Sequence, residues 1–177
     1  RSGNVIGGGD WAKYRIVPDA VRAFINQQPL TVRNPQAIRP WQHVLEPLSG
    51  YLLLAAKMTQ APQTYSSEWN FGPLPTERNR VRELADEMVK IWGSPAAWQD
   101  TSEPATHHET ELLKLNIDKA IAYLGWQPVW DFQTTVEQTI EWYKASLTHD
   151  PEHMRDMCFQ NIQYYQQKVA LKGLDWA

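Results

Sequence analysis

The sequence predicts a mixed α/β chain that is mostly helical with short strands, and three observations predict it. Apolar residues recur at helical spacing over long stretches, the β-like runs between them span only a few residues, and Val5-Ile6 reads as the end of a strand begun before Arg1. The strands available are too brief and scattered to make a doubly wound sheet by themselves. With 177 residues the chain is one domain or a piece of a larger one.

Each element follows from local chemistry. After Val5-Ile6, the run Gly7-Gly8-Gly9-Asp10 breaks into a loop. Ile16, Val17, Ala20, Val21, Phe24 and Ile25 form the apolar face of a helix, with Pro18 tolerated in its first turn and Pro29 as its stop. Segments 30–33 and 38–44 read as extended around a turn at Asn34-Pro35, and Pro40 marks the second as an edge or irregular strand. Pro47 suits a helix start, and Leu48, Tyr51, Leu52, Leu54, Ala55 and Met58 supply a broad apolar face until Pro62, so this helix is expected to be largely buried.

Trp69-Asn70-Phe71 is a strand candidate ended by Gly72-Pro73. Val81, Leu84, Ala85, Met88, Val89 and Trp92 then recur at helical spacing before Gly93. Residues 94–111 are polar and Pro-punctuated, and 112–115 read as extended. Asn116 caps a short helix ending at Gly125. Thr134 with Glu137 makes a capping-box pattern for a helix through Leu147. Asp150-Pro151 breaks it, and a polar helix runs on to about Lys172.

Composition excludes several classes of function. Seventeen Lys plus Arg against twenty Asp plus Glu leave a net charge of −3, so no broad electropositive face exists for a nucleic-acid backbone. The longest apolar run, around Tyr51 to Ala56, is far short of the roughly 20 residues a bilayer crossing needs. No secretory pattern opens the chain, and a single cysteine forms no internal disulfide, which agrees with a cytoplasmic protein. Nine Trp, seven Tyr and four Phe supply enough large side chains for a core.

Several motifs have a plainer reading. Gly7-x-Gly9-x-x-Ala12 fits the letter of a dinucleotide fingerprint, but that motif needs a full strand before it and an acidic ribose partner about 20 residues on. Tyr164-x-x-x-Lys168 has the spacing of a proton-abstracting pair, yet it lies in a polar helix where both are ordinary surface residues. His107-His108-Glu109 with Glu111 lacks the i, i+4 ligand spacing of helical metal sites and reads as a solvated loop. Cys158, between Met157 and Phe159, is expected to be packed. The arginines are a better signal. Arg15, Arg33 and Arg39 stand at element ends where three guanidinium groups can converge on a pyrophosphate, against the alternative of exposed salt bridges. Asn4 and Asn70 are amides in partly buried places, and each needs a partner.

Taken together, Arg1-x-Gly3-Asn4-Val5-x-Gly7-Gly8-Gly9-Asp10-Trp11, Arg15-Ile16-Val17-Pro18-Asp19 and Ile38-Arg39-Pro40-Trp41-Gln42-His43-Val44-Leu45-Glu46-Pro47 resemble the CDP-glucose 4,6-dehydratases, a family of extended short-chain dehydrogenases/reductases. The likeness continues through Trp69-Asn70-Phe71-Gly72-Pro73, His108-Glu109 and Leu124-Gly125-Trp126-x-Pro128-x-Trp130. The resemblance implies a C-terminal half only: residues 1–15 the end of a Rossmann strand and a substrate loop, residues 16–177 a mostly helical substrate-binding domain. The N-terminal NAD-binding domain, with its glycine loop and catalytic Tyr-x-x-x-Lys, would lie outside the chain, which would then be inactive alone and bind no NAD.

Family members are understood to oxidise C4 of the glucose with NAD, eliminate water across C5 and C6, and return the hydride to C6, giving CDP-4-keto-6-deoxyglucose. The C4 ketone acidifies the C5 proton, which makes the elimination accessible to an acid/base pair. By resemblance, Asn4 meets the nucleotide diphosphate, Arg15 stands near the phosphates and Arg39 clamps them. Asn70 and His108 line the nucleotide end of the cleft, and Arg33 falls beside the nucleobase. The implied partners are CDP-glucose, the NAD-binding domain and a second copy of the full-length enzyme, with no nucleic acid and no membrane. Asn116 departs from an expected acidic residue but caps a helix as well as Asp does. Another nucleotide-sugar dehydratase, epimerase or reductase, or a stand-alone binding module, remains the alternative.

Overall fold

The computed structural model describes residues 1–102, 112–174 and 176. Two short parallel pairings organise it. β1 (Asn4–Ile6) pairs with β3 (Trp41–His43) in the register Asn4↔Trp41, and β2 (Leu30–Val32) pairs with β4 (Trp98–Asp100). Parallel strands need a crossover. α1 (Ile16–Ile25) lies in the connection between β1 and β3, and α4 (Val81–Trp92) in that between β2 and β4. β1 also meets a second neighbour, since Gly3 N–H donates to the Phe71 carbonyl and Phe71 N–H to that of Arg1.

The main core gathers these pieces with α6 (Phe132–Ser146). Val17, Ala20, Val21 and Phe24 of α1 meet Leu84, Ala85 and Met88 of α4 and Val136, Ile140 and Tyr143 of α6, around Ile6, Leu30, Val32 and Trp41. Truncating a fully buried residue such as Leu84 or Met88 costs about 2–5 kcal/mol. A second cluster joins α2 (Leu45–Gln60) to α5 (Asp118–Leu124) through Leu53, Phe71, Ile117, Leu124 and Trp126. A third sets Val129 and Trp130 against Tyr165 and Val169 of α7 (Pro151–Leu171).

Local signals account for most boundaries. Asn116 Oδ1 accepts the Asp118 N–H at the start of α5, and Gly125 ends that helix at φ 67, a left-handed angle that glycine adopts without strain. Asp150 caps α7 with Pro151 in its first turn.

Five expectations are corrected. The Trp69-Asn70-Phe71 segment is no strand; only Phe71 makes a bridge, to Ser2. β4 lies in the stretch read as loop, because a three-residue parallel strand carries no alternation to betray it. The cap of α6 is Asp131, whose carboxylate accepts the Thr134 N–H, so Thr134 is inside the helix. Cys158 is exposed, its sulfur accepting the Trp142 indole N–H at 3.3 Å. Finally, α2 is not largely buried. Only Glu46, Pro47, Gly50 and Leu53 are covered, while Leu48, Tyr51, Leu52 and Met58 stay open, with Leu52 73% exposed. The core takes the narrow Glu46–Gly50–Leu53 side, and no described element covers the broader apolar one. A further short helix, α3 (Pro62–Tyr65), follows α2. Among the described residues no helix is long and apolar enough to cross a membrane.

Candidate functional site

The β1–β3 register puts Asn4 beside Trp41, and two adjoining clefts of about 500 and 540 Å³ open on either side of that pair. Asn4, Tyr14, Ile16 and Trp41 line both. The first cleft adds Ser2, Gly3, residues 5–7, Asp10, Arg15 and the start of α1; the second adds β2, Arg33, Asn34, Ala37 and Arg39. Asn4, Arg15, Arg33 and Arg39, which lie on four separate segments, therefore share one concave region. Arg15 immediately precedes α1 and its guanidinium lies 3.5 Å from the Asp10 carboxylate. Arg39 donates to the Ile38 carbonyl at 3.0 Å and is half-buried.

The loop over the first cleft is held in place. Arg22 donates to the carbonyls of Trp11 and Ala12 at 3.1 and 3.2 Å and pairs with Asp19, and the Tyr143 hydroxyl donates to the Asp10 carbonyl. Burial pushes the Tyr143 phenol up to about 12, so it stays a donor at any ordinary pH. The glycines have structural reasons. A Cβ on Gly8 would come within 2.1 Å of the Trp142 ring, and Gly9 sits at φ 85.

Apart from the cleft lining lies a buried polar knot. Glu46 is fully buried; its carboxylate accepts the N–H of Val129 at 3.0 Å, the N–H of Trp130 at 2.7 Å and the Tyr165 hydroxyl at 2.7 Å. Desolvation pushes its pKa up to about 7 against the pull of those hydrogen bonds, and burial together with the Glu46 charge raises Tyr165 as well. His43, its ring tilted 53° against Trp130 at 4.7 Å, is pushed down to about 3 by burial and is neutral, its Nδ1 accepting the Leu45 N–H.

Other expected residues stand apart. The Asn70 amide donates to the Asn116 carbonyl at 2.9 Å, and Asn70 lines neither cleft. His108, with His107, Glu109 and Glu111, lies outside the described residues. Tyr164 and Lys168 are on α7, with the Lys168 ammonium 5.2 Å from the Tyr164 ring and that ring against Trp130, and neither lines the two clefts. Of the four residues that line both clefts, Trp41 and Tyr14 were not singled out from the sequence. Trp41 could have been, since its motif was noted; Tyr14 gave no signal, because its position depends on the loop backbone.

The chemistry that most of the lining offers is binding. The lining side chains offer guanidinium and amide donors suited to paired phosphates. Among the described residues no His, Cys, Lys or Glu lines either cleft, and both aspartates there are already beside arginines. Nor do these residues fit a dinucleotide of their own. Residues 7–15 separate β1 from α1, so the glycines do not turn a strand directly into a helix, and Gly8 is spent on close approach to Trp142.

Comparison with known proteins places this architecture. No protein-family model matches the chain. An epimerase, Mth375, from Methanothermobacter thermautotrophicus superposes with a TM-score of 0.69 at 26% identity, over 88% of this chain and 44% of its own. The dTDP-glucose 4,6-dehydratase of Bacillus anthracis, solved in complex with NAD, gives 0.64 at 16% identity, over 89% of this chain and 46% of its own. The fold is thus that of the C-terminal part of an extended short-chain dehydrogenase/reductase of the epimerase and dehydratase kind. Within that class the sequence matches one enzyme in particular. Over 145 residues, 82% of this chain, it is 47% identical to the CDP-glucose 4,6-dehydratase of Salmonella typhimurium. The chain spans 40% of that relative's length, in its C-terminal part.

Proposed function

We propose that the chain is the substrate-holding part of a CDP-glucose 4,6-dehydratase, a hydro-lyase that makes CDP-4-keto-6-deoxyglucose. The observation that carries this reading is the convergence of Asn4, Arg15, Arg33 and Arg39 on adjoining clefts; the identity to the Salmonella enzyme supports the choice of nucleotide. Arg39 and Asn4 hold the diphosphate, Arg15 neutralises it from the α1 side, and Arg33 lies beside the cytosine. Asn70 braces the Asn116 segment that borders Arg39 across a smaller cleft of about 360 Å³.

NAD in the complete enzyme supplies hydride acceptance and return, and the residues of this chain neither hold it nor carry that chemistry. Their contribution is orientation. Binding energy from the remote nucleotide fixes the hexose against the reacting groups, so these side chains affect turnover without touching the carbons that react. The uncovered α2 stripe of Leu48, Tyr51, Leu52 and Met58 is the face on which a dinucleotide-binding domain packs.

Thermal denaturation of the chain with CDP-glucose, UDP-glucose and dTDP-glucose tests the reading. At a hundredfold excess over Kd the bound ligand stabilises by about 2.7 kcal/mol, which raises Tm by several degrees. CDP-glucose is expected to give the largest rise. A larger rise with another nucleotide sugar transfers the chain to a sister enzyme, and no rise with any of them rejects the site.

A further inference from the structure

Tyr14 is the most exposed large hydrophobic residue described, at 90%, yet it lines both clefts. Its backbone is left-handed, φ 65, a region that bulky residues rarely enter. The other described non-glycine residue with positive φ, Gln27, follows the C-cap of α1, where a helix ordinarily unwinds. Tyr14 lies in the Lys13-Tyr14 turn, but a left-handed turn position favours glycine or asparagine, so the turn does not account for a tyrosine there. The strain is imposed from both sides: Arg22 pins the carbonyls of Trp11 and Ala12, Asp10 caps the Ala12 N–H, and Arg15 leads straight into α1. Tyr14 makes no hydrogen bond or ring contact with any described residue. A strained backbone that presents an aromatic ring to nothing in the fold does not serve folding; such strain persists at ligand clamps.

We propose, resting on the nucleotide-sugar reading above, that Tyr14 is a ligand-covering residue whose ring stacks on the nucleoside where the two clefts meet. The neighbouring donors, Asn4 and Arg39, serve phosphates. The planar apolar part of a nucleotide is its base, and an aromatic face is the matching surface. Bound ligand gives the ring the packing partner it lacks in the fold.

The test combines urea unfolding with calorimetric titration of the full chain and its variants Tyr14→Gly, Tyr14→Ala and Tyr14→Phe, using CDP-glucose, CDP and inorganic pyrophosphate. Tyr14→Gly is expected to raise the unfolding midpoint, because glycine adopts this backbone freely, while weakening CDP-glucose and CDP about tenfold. Tyr14→Ala weakens both to a similar degree, Tyr14→Phe leaves both within about threefold, and pyrophosphate binds all variants alike. Unchanged CDP affinity in Tyr14→Gly and Tyr14→Ala overturns the proposal, as does a loss confined to CDP-glucose, which would move the ring onto the hexose. A wild-type chain that binds none of the three ligands overturns the nucleotide-sugar reading itself, and this proposal with it.

Discussion

Glu46→Gln isolates the electrostatics of the buried knot. The carboxylate is fully buried and satisfied by the Val129 and Trp130 amides and the Tyr165 hydroxyl. Glutamine keeps one acceptor oxygen for the two amides, and its NH2 can donate to Tyr165, whose own proton turns to Ser49 Oγ at 3.1 Å. The substitution therefore preserves shape and most hydrogen bonds while removing the titration. The native carboxyl has its pKa raised from 4.5 to about 7, so between those values the folded state keeps a proton that the unfolded chain has released. That stabilisation is complete below pH 4.5 and is lost as pH rises through 7. A shift of this size corresponds to about 3 kcal/mol. Urea unfolding of both proteins at pH 5 and pH 8 measures it. Because pH 5 already lies above 4.5, the wild type is expected to lose about 2.5 kcal/mol relative to Glu46→Gln over that span. Parallel pH profiles would refute the claim that burial outweighs the three hydrogen bonds.

Other outcomes follow from the same geometry. Arg39→Ala is expected to weaken CDP-glucose binding by about 1.5–3 kcal/mol in calorimetric titration, the range for a charge-assisted hydrogen bond. Gly50→Ala places a methyl group 2.2 Å from the Phe71 ring and is expected to lower stability by about 1–3 kcal/mol in thermal denaturation, since Phe71 is itself buried and has nowhere to move. Leu52→Lys, on the open stripe of α2, should leave the unfolding free energy of the chain within about 0.5 kcal/mol, yet abolish assembly with a separately produced dinucleotide-binding domain in analytical ultracentrifugation.

The helices were legible because their signals are local. The apolar spacing of Ile16 to Ile25 and Val81 to Trp92, Gly125 as a left-handed stop, and Asp150-Pro151 at the start of α7 all act within a turn or two. β4 was not, since three residues pair with β2 only after α4 brings them there. The exposure of α2 was misread because an apolar stripe states that it wants cover, not that the cover is present. Arg15, Arg33 and Arg39 were legible as residue types, but their approach to Asn4 depends on the β1–β3 register, which no local pattern encodes. Glu46 stood within the resembling motif, but its buried role was not legible: an acid beside Pro47 in a helix start looks like a favourable helix-dipole charge, and its partners at Val129, Trp130 and Tyr165 are more than eighty residues away in sequence.

The most direct measurement is a crystal structure of the chain with CDP-glucose bound. The pyrophosphate is expected between Asn4 and Arg39, within hydrogen-bond reach of both, with the nucleoside toward Arg33 and Tyr14. Well-ordered ligand on a different face of the molecule, with Asn4 and Arg39 untouched, would contradict the account.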